Sequence, residues 1–199
     1  MAGTNPCVVL DNGGDTLKYG FCNENLPRVL RNCIGSFKNQ PRRYLGEELT
    51  SLRNTSGILL SRPFERGVIT NWSCQVELWS KAFEKLNLRN PLAFSDISLL
   101  LTAAPFLPDS VACDTTEIIF EQFGFGSYLM RPAAWFSAYE YTQDPLTSSS
   151  SSGRSVLVID SGFSSTHVMP FINLQTRVDC VCSSSKPLNQ TFIAVFIIN

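Results

Sequence analysis

Val8-Val9-Leu10-Asp11-Asn12-Gly13-Gly14-Asp15-Thr16-Leu17-Lys18 is a buried-strand pattern that ends in an aspartate and a glycine-containing turn, then starts a second strand. Far downstream, Val156-Leu157-Val158-Ile159-Asp160-Ser161-Gly162-Phe163-Ser164-Ser165-Thr166-His167 repeats the device. A hairpin of this kind turns backbone N–H groups outward and makes a concave site for an anion such as phosphate. An aspartate at the strand end can hold a divalent cation, directly or through water. Asp-Asn-Gly is also an ordinary tight-turn signal, so one copy decides little. Two copies, with Lys18 in the first and Thr166-His167 in the second, predict a nucleotide cleft between two lobes.

The 199 residues suffice to bury a real core, and 44% hydrophobic with 17% charged residues describes a globular chain. A net charge of −1 gives no field that would draw the chain to nucleic acid or to a membrane surface. Met1 to Pro6 lacks the basic and apolar regions of a secretory signal, and Phe192 to Ile198 is far too short to span a bilayer. The seven cysteines are scattered and accompanied by a single histidine, His167, which predicts reduced thiols and no zinc site. Cys180-Val181-Cys182 has the wrong spacing for a structural metal.

Residues 7–11, 16–22 and 27–34 read as three strands, and 35–56 as a polar excursion from the core. Lys38, Arg42 and Arg43 form a small basic cluster there, better read as a solvated loop than as a nucleic-acid patch, since no aromatics interleave it. From Trp72 to Leu86, apolar residues recur at helical spacing behind Thr70 or Asn71, a good N-cap. Trp72 and Trp79 read as core. Residues 97–102 form a buried strand, a helix begins at Asp109 or Ser110, and 132–141 is helical with Pro132 in its first turn. Strand, helix and hairpin in this order predict an α/β fold, a mixed sheet flanked by helices.

The blocks Asp11-Asn12-Gly13 with Lys18 and Gly20-Phe21, Arg62-Pro63 with Gly67-Val68-Ile69-Thr70-Asn71-Trp72, Leu100-Leu101-Thr102 with Pro105, and Ile119-Phe120-Glu121 with Phe123 occur in an order that resembles actin and its relatives. Asp160-Ser161-Gly162 with Thr166-His167 completes the set, which covers residues 7–171. Phe120 to Phe125 and Val158 to Pro170 look most like the actin-related protein 6 subfamily. The resemblance implies the ribonuclease-H-like ATPase core of actin, Hsp70 and hexokinase. It places a first lobe at 1–155, with a small exposed insertion at 34–62 and a Ser-rich loop at 147–153. The first hairpin of a second, largely missing lobe follows at 156–172, then a divergent tail at 173–199.

On this resemblance, Asp11 and Asp160 match the acidic residues around a magnesium ion. Asn12, Gly13, Lys18, Ser161 and Gly162 match the nucleotide-phosphate cradle, and His167 matches a histidine that helps position the attacking water. Several positions depart from the pattern. Gly14 replaces a hydroxyl-bearing serine and Phe163 an acidic residue, while Ser164 stands at a glycine. Ala133 stands where actin has a glutamine that orients water, so His167 is better read as structural. Asp15 adds a negative charge that, at ~4 Å and an effective dielectric of ~20, opposes each phosphate charge by about 4 kcal/mol.

ATP with magnesium is therefore expected to bind weakly or not at all, with no appreciable hydrolysis. The resemblance implies a nuclear, non-enzymatic subunit of a remodelling complex that exchanges a variant histone in nucleosomes. Its partners would be a remodelling ATPase and its associated proteins, with histones contacted indirectly, no membrane, and no sequence-specific nucleic-acid binding. A weak ATPase of the actin and Hsp70 type and a cytoskeletal actin relative are the alternatives. After Phe171 the motifs stop, and Ser183 to Asn199 reads as a truncated or alternatively spliced end. The hairpin at 156–171 is then expected to lack packing partners, and the uncharged run Thr191 to Ile198 to be aggregation-prone.

Overall fold

Alternation builds the first sheet. Side chains on a strand point to opposite faces in turn, so Val8 and Leu10 of β1 (Cys7–Asn12), with Leu17 and Tyr19 of β2 (Thr16–Phe21), enter one core. The computed structural model describes residues 6–38, 40–89, 94–143, 155–176, 178–184 and 192–197. These fall into two units, the first ending at Met130 and the second starting at Arg131, with Ala103–Pro105 assigned to the second.

In the first unit, β2 pairs antiparallel with both β1 and β3 (Arg28–Arg31). The expected third strand at 27–34 breaks at Asn32. There the backbone N–H donates to the Asp15 carbonyl at 2.7 Å, and the side-chain amide donates to the Gly13 carbonyl at 2.7 Å. The chain then leaves as β4 (Ile34–Phe37), which joins β5 (Arg43–Leu45) and β6 (Ile58–Ser61) in a separate three-stranded sheet. A single helical turn, α1 (Glu47–Thr50), precedes β6. The polar excursion is thus a small sheet of its own.

A two-strand ladder, β7 (Phe64–Glu65) and β8 (Val68–Ile69), leads to α2 (Trp72–Lys85). The Asn71 side chain accepts from the Cys74 N–H at the N-terminus of this helix, and Cys74, Leu78, Trp79, Ala82 and Phe83 are buried. β9 (Ser98–Ala103) runs parallel to β1, and α3 (Asp109–Glu117) continues as a π-helical turn over Ile118–Phe123. Gly124, at φ 81°, ends it in the left-handed region that favours glycine. β10 (Ser127–Pro132) completes the sheet order β10-β9-β1-β2-β3. Phe83, Phe94, Phe123 and Phe125 meet edge-on or tilted, with centroids from 4.8 to 6.5 Å apart, and close the core under α2.

The second unit holds α4 (Ala133–Gln143) and a sheet of β11 (Ser155–Ser161), β12 (Thr166–Ile172), β13 (Gln175–Thr176), β14 (Cys182–Ser184) and β15 (Phe192–Ile197). Ala134 and Ala138 of α4 pack with Val156, Val158, Met169 and Phe171 in one buried cluster. The two units divide between Met130 and Arg131, and α4 seats on β11 within the second. The expectation of an unpacked hairpin is corrected by the same cluster. The tail adds to the sheet: β15 pairs antiparallel with β11 from Val156 opposite Ile197 to Ser161 opposite Phe192. The Ser-rich loop at 147–153 lies outside the described residues. No helix among the described residues is long and apolar enough to cross a membrane.

Candidate functional site

The turn of the first hairpin is held from three sides. The Thr102 hydroxyl, on the adjacent β9, donates to Asp11 Oδ1 at 2.8 Å and accepts the Asn12 N–H at 2.9 Å. From α2, Trp79 Nε1 donates to Asn12 Oδ1 at 3.2 Å. Asn32 holds the carbonyls of Gly13 and Asp15, and its own Oδ1 is buried without a protein partner. The turn is tight: a Cβ on Gly13 would lie 2.8 Å from the Thr16 carbonyl oxygen.

Asp11 and Lys18 are cross-strand partners in the β1–β2 register, and Lys18 Nζ lies 2.9 Å from Asp11 Oδ2. The candidate metal carboxylate and the candidate phosphate lysine thus engage each other. Asp15 does not present a bare charge to the turn. Its Oδ2 accepts from Arg31 Nη1 at 2.6 Å, and its Oδ1 from Arg62 Nη1 at 3.2 Å. The expected repulsion is corrected accordingly, since two guanidinium groups offset one carboxylate. Among the described residues, the cations Lys18, Arg31 and Arg62 engage the carboxylates of Asp11 and Asp15 around the turn.

In the second hairpin, Asp160 is paired across the strands with His167, and Ser161 with Thr166. Ser161 Oγ and Thr166 Oγ1 are 3.1 Å apart. The Gly162 N–H donates to the Ser165 carbonyl at 2.9 Å, so it closes the turn instead of facing outward. Ser165 Oγ lies 2.8 Å from His167 Nε2, while Nδ1 is buried without a partner. Burial pushes the imidazole pKa down, which keeps His167 neutral at pH 7. Phe163 stands exposed at the tip, and Ala133 begins α4 with a methyl group that can orient nothing. Among the described residues, no group of three or more His, Cys, Asp or Glu side chains converges as a metal site.

The residues that shape the first turn but carry no motif of their own are Thr102, Asn32, Arg31 and Arg62. Thr102 and Arg62 lie inside the blocks Leu100-Leu101-Thr102 and Arg62-Pro63, which was the available signal. Asn32 and Arg31 act across 19 and 16 residues, with no local pattern to mark them.

The turn gathers Lys18, Arg31 and Arg62 around Asp11 and Asp15, and Asn-Gly turns at strand ends are widespread enough that geometry alone names no family. Comparison does. A family model for actin matches residues 2–189. Actin-related protein 6 of Neurospora crassa is 34% identical over 173 residues, covering 83% of this chain and 39% of its own length. The Drosophila melanogaster protein of that name is 32% identical over 84% of this chain and 42% of its own length, and that of Arabidopsis thaliana 37% identical over 83% and 40%. The chain thus spans about two fifths of the curated relatives it matches. With the parallel β1–β9 pair, the two Asp-containing hairpins and a match along nearly the whole sequence, the chain belongs to the actin family, as an actin-related protein similar to those three.

Proposed function

We propose that this chain serves as a structural, non-catalytic subunit of a nuclear chromatin-remodelling complex that exchanges a variant histone in nucleosomes. The similarity to actin-related protein 6 of fungal, insect and plant origin supports the choice of assembly. The non-catalytic half of the reading rests on one observation, the 2.9 Å ion pair that sets Asp11 and Lys18 against each other. A metal carboxylate and a phosphate lysine that satisfy one another hold a hairpin together without nucleotide. Phosphoryl transfer, by contrast, depends almost wholly on positioned charges around the phosphates. The partners would be a remodelling ATPase and its associated proteins, with histones reached through them. Affinity capture of the chain from nuclear extract, with partners identified by mass spectrometry, tests this. Remodelling-ATPase subunits with histones are the expected recovery. Cytoskeletal proteins or chaperones alone would overturn it.

The gathering of Lys18, Arg31 and Arg62 at the first turn favours a second reading, an ATP-binding protein of the actin and Hsp70 type. Asp11, Asn12, Gly13 and Lys18 of the first hairpin would then hold phosphate and magnesium. Titration calorimetry separates the readings. A Kd for magnesium-ATP weaker than about 10 μM is expected, since about 7 kcal/mol of binding requires a convergent, enclosed site. Tighter binding would favour the nucleotide reading.

A further inference from the structure

The first hairpin has a feature at its root that neither reading of the turn uses. Cys7 opens β1, and Cys22 follows β2 by one residue. The Cys22 N–H donates to the Cys7 carbonyl at 2.9 Å, and the register that sets Val8 opposite Phe21 sets Cys7 opposite Cys22. Directly opposed residues of an antiparallel pair share a face, with Cβ atoms about 4.5–5.5 Å apart. Their Cα atoms, in a hydrogen-bonded pair, are about 5.5 Å apart, inside the window of about 4.4–6.8 Å that a disulfide bridges, and the Cβ atoms must close by up to about 1 Å to reach the roughly 3.5–4.5 Å of a bridge, a movement open to a pair at the end of the ladder. Both thiols are free; Cys22 is exposed and Cys7 half-buried.

We propose that Cys7 and Cys22 form a reversible disulfide that staples the root of the hairpin, made by a two-electron oxidant of the peroxide class. Burial and the neighbouring Cys22 thiol push the Cys7 pKa up. Exposed Cys22 is the sulfur that meets the oxidant, and half-buried Cys7 is the resolving partner. The Cys22 thiolate attacks one oxygen of hydrogen peroxide, the O–O bond breaks, and the departing hydroxide takes a proton to become water. Cys22 is now a sulfenic acid. The Cys7 sulfur then attacks the Cys22 sulfur. An S–S bond forms, the S–O bond breaks, and a second water leaves with the Cys7 proton. Two thiols are oxidised by two electrons and one peroxide is reduced to two waters. Cys33 and Cys74 are buried and shielded from the oxidant. The staple locks the two strands that carry Asp11 and Lys18 in their observed register.

The test is to treat the reduced 199-residue chain with hydrogen peroxide, block remaining thiols with an alkylating reagent, and map the tryptic peptides. Trypsin cuts after Lys18 and after Arg28, which puts Cys7 and Cys22 on separate peptides. The expected product is a Cys7–Cys22 linked pair, about 2 Da lighter than the two thiol peptides together and released by dithiothreitol. The Cys7→Ser variant, folded by circular dichroism, should instead accumulate a dimedone-reactive sulfenic acid on Cys22, and Cys22→Ser should leave Cys7 fully alkylated. Full alkylation of both cysteines in the wild type while Cys113, Cys180 or Cys182 oxidises would overturn the proposal. So would a Cys22 sulfinic acid with no linked pair.

Discussion

One hydroxyl carries two bonds at the first turn, and a small substitution shows how much depends on it. Thr102→Val keeps the shape of the side chain but removes the donor to Asp11 Oδ1 and the acceptor of the Asn12 N–H. Both partners are half-buried, so leaving them unpaired should cost about 1–3 kcal/mol in urea unfolding, whereas Thr102→Ser should stay near wild type. His167 sets a pH dependence of definite sign. Burial lowers its pKa in the folded chain below the ordinary value of 6.5. Its contribution to stability is thus complete above that value and declines as pH falls towards the folded pKa, because the unfolded chain takes up a proton that the folded chain refuses. Stability should therefore drop on acidification below 6.5, and His167→Gln should remove that part of the slope. As the only histidine of the chain, its imidazole resonances give the folded pKa directly by NMR titration. A folded pKa at or above 6.5 would refute the assignment.

Helix α2 shows what an element owes to its cap and to its core face separately. Asn71 is its sole side-chain cap, accepting from the Cys74 N–H at 3.1 Å, so Asn71→Ala should lower stability by about 1 kcal/mol without altering the buried face, as read by thermal melting. Trp79 has a double load, filling the core and donating to Asn12, and it is the point at which the helix positions the candidate site. Much of this element was legible: Val76, Trp79, Phe83 and Leu86 recur at helical spacing, and Asn71 precedes them. The hairpins at 7–21 and 155–172 were legible for the same reason, since a period of two around a turn is a local signal. What could not be read is non-local. Asn32 breaks an apparent strand because its bonds go to Gly13 and Asp15. Asp15 looked repulsive because its partners Arg31 and Arg62 lie 16 and 47 residues away. The small sheet at 34–61 hid in a polar stretch, as its outer strands β5 and β6 are half-buried or exposed and leave little hydrophobic pattern. The π-helical turn at Ile118–Phe123 follows α3 without any composition that sets it apart.

At the scale of the chain, the two units have separate hydrophobic cores, and the second depends on a strand that the motifs did not reach. β15 satisfies the outer edge of β11 and lays Val195 against the cluster of Val156, Val158, Met169 and Phe171. Ile193 and Phe196, on the same strand, remain about half exposed. Stability and self-association therefore belong to different residues of one six-residue strand. Val195→Asp places an unpaired charge against an apolar cluster and should cost about 2–3 kcal/mol. Phe196→Lys replaces a half-exposed side chain on an uncharged strand. It should change stability by less than about 0.5 kcal/mol while suppressing aggregation, as charged residues on edge strands do. Light scattering on the two variants at matched concentration separates the effects. Hydrogen exchange then locates the loss. With Val195→Asp, amides of β11 and β12 should exchange faster while those of β1, β2 and β9 keep their protection, because separate cores open separately. Equal loss of protection in both sets would mean that the chain unfolds as a single cooperative body and that β15 supports the first hairpin as well as the second.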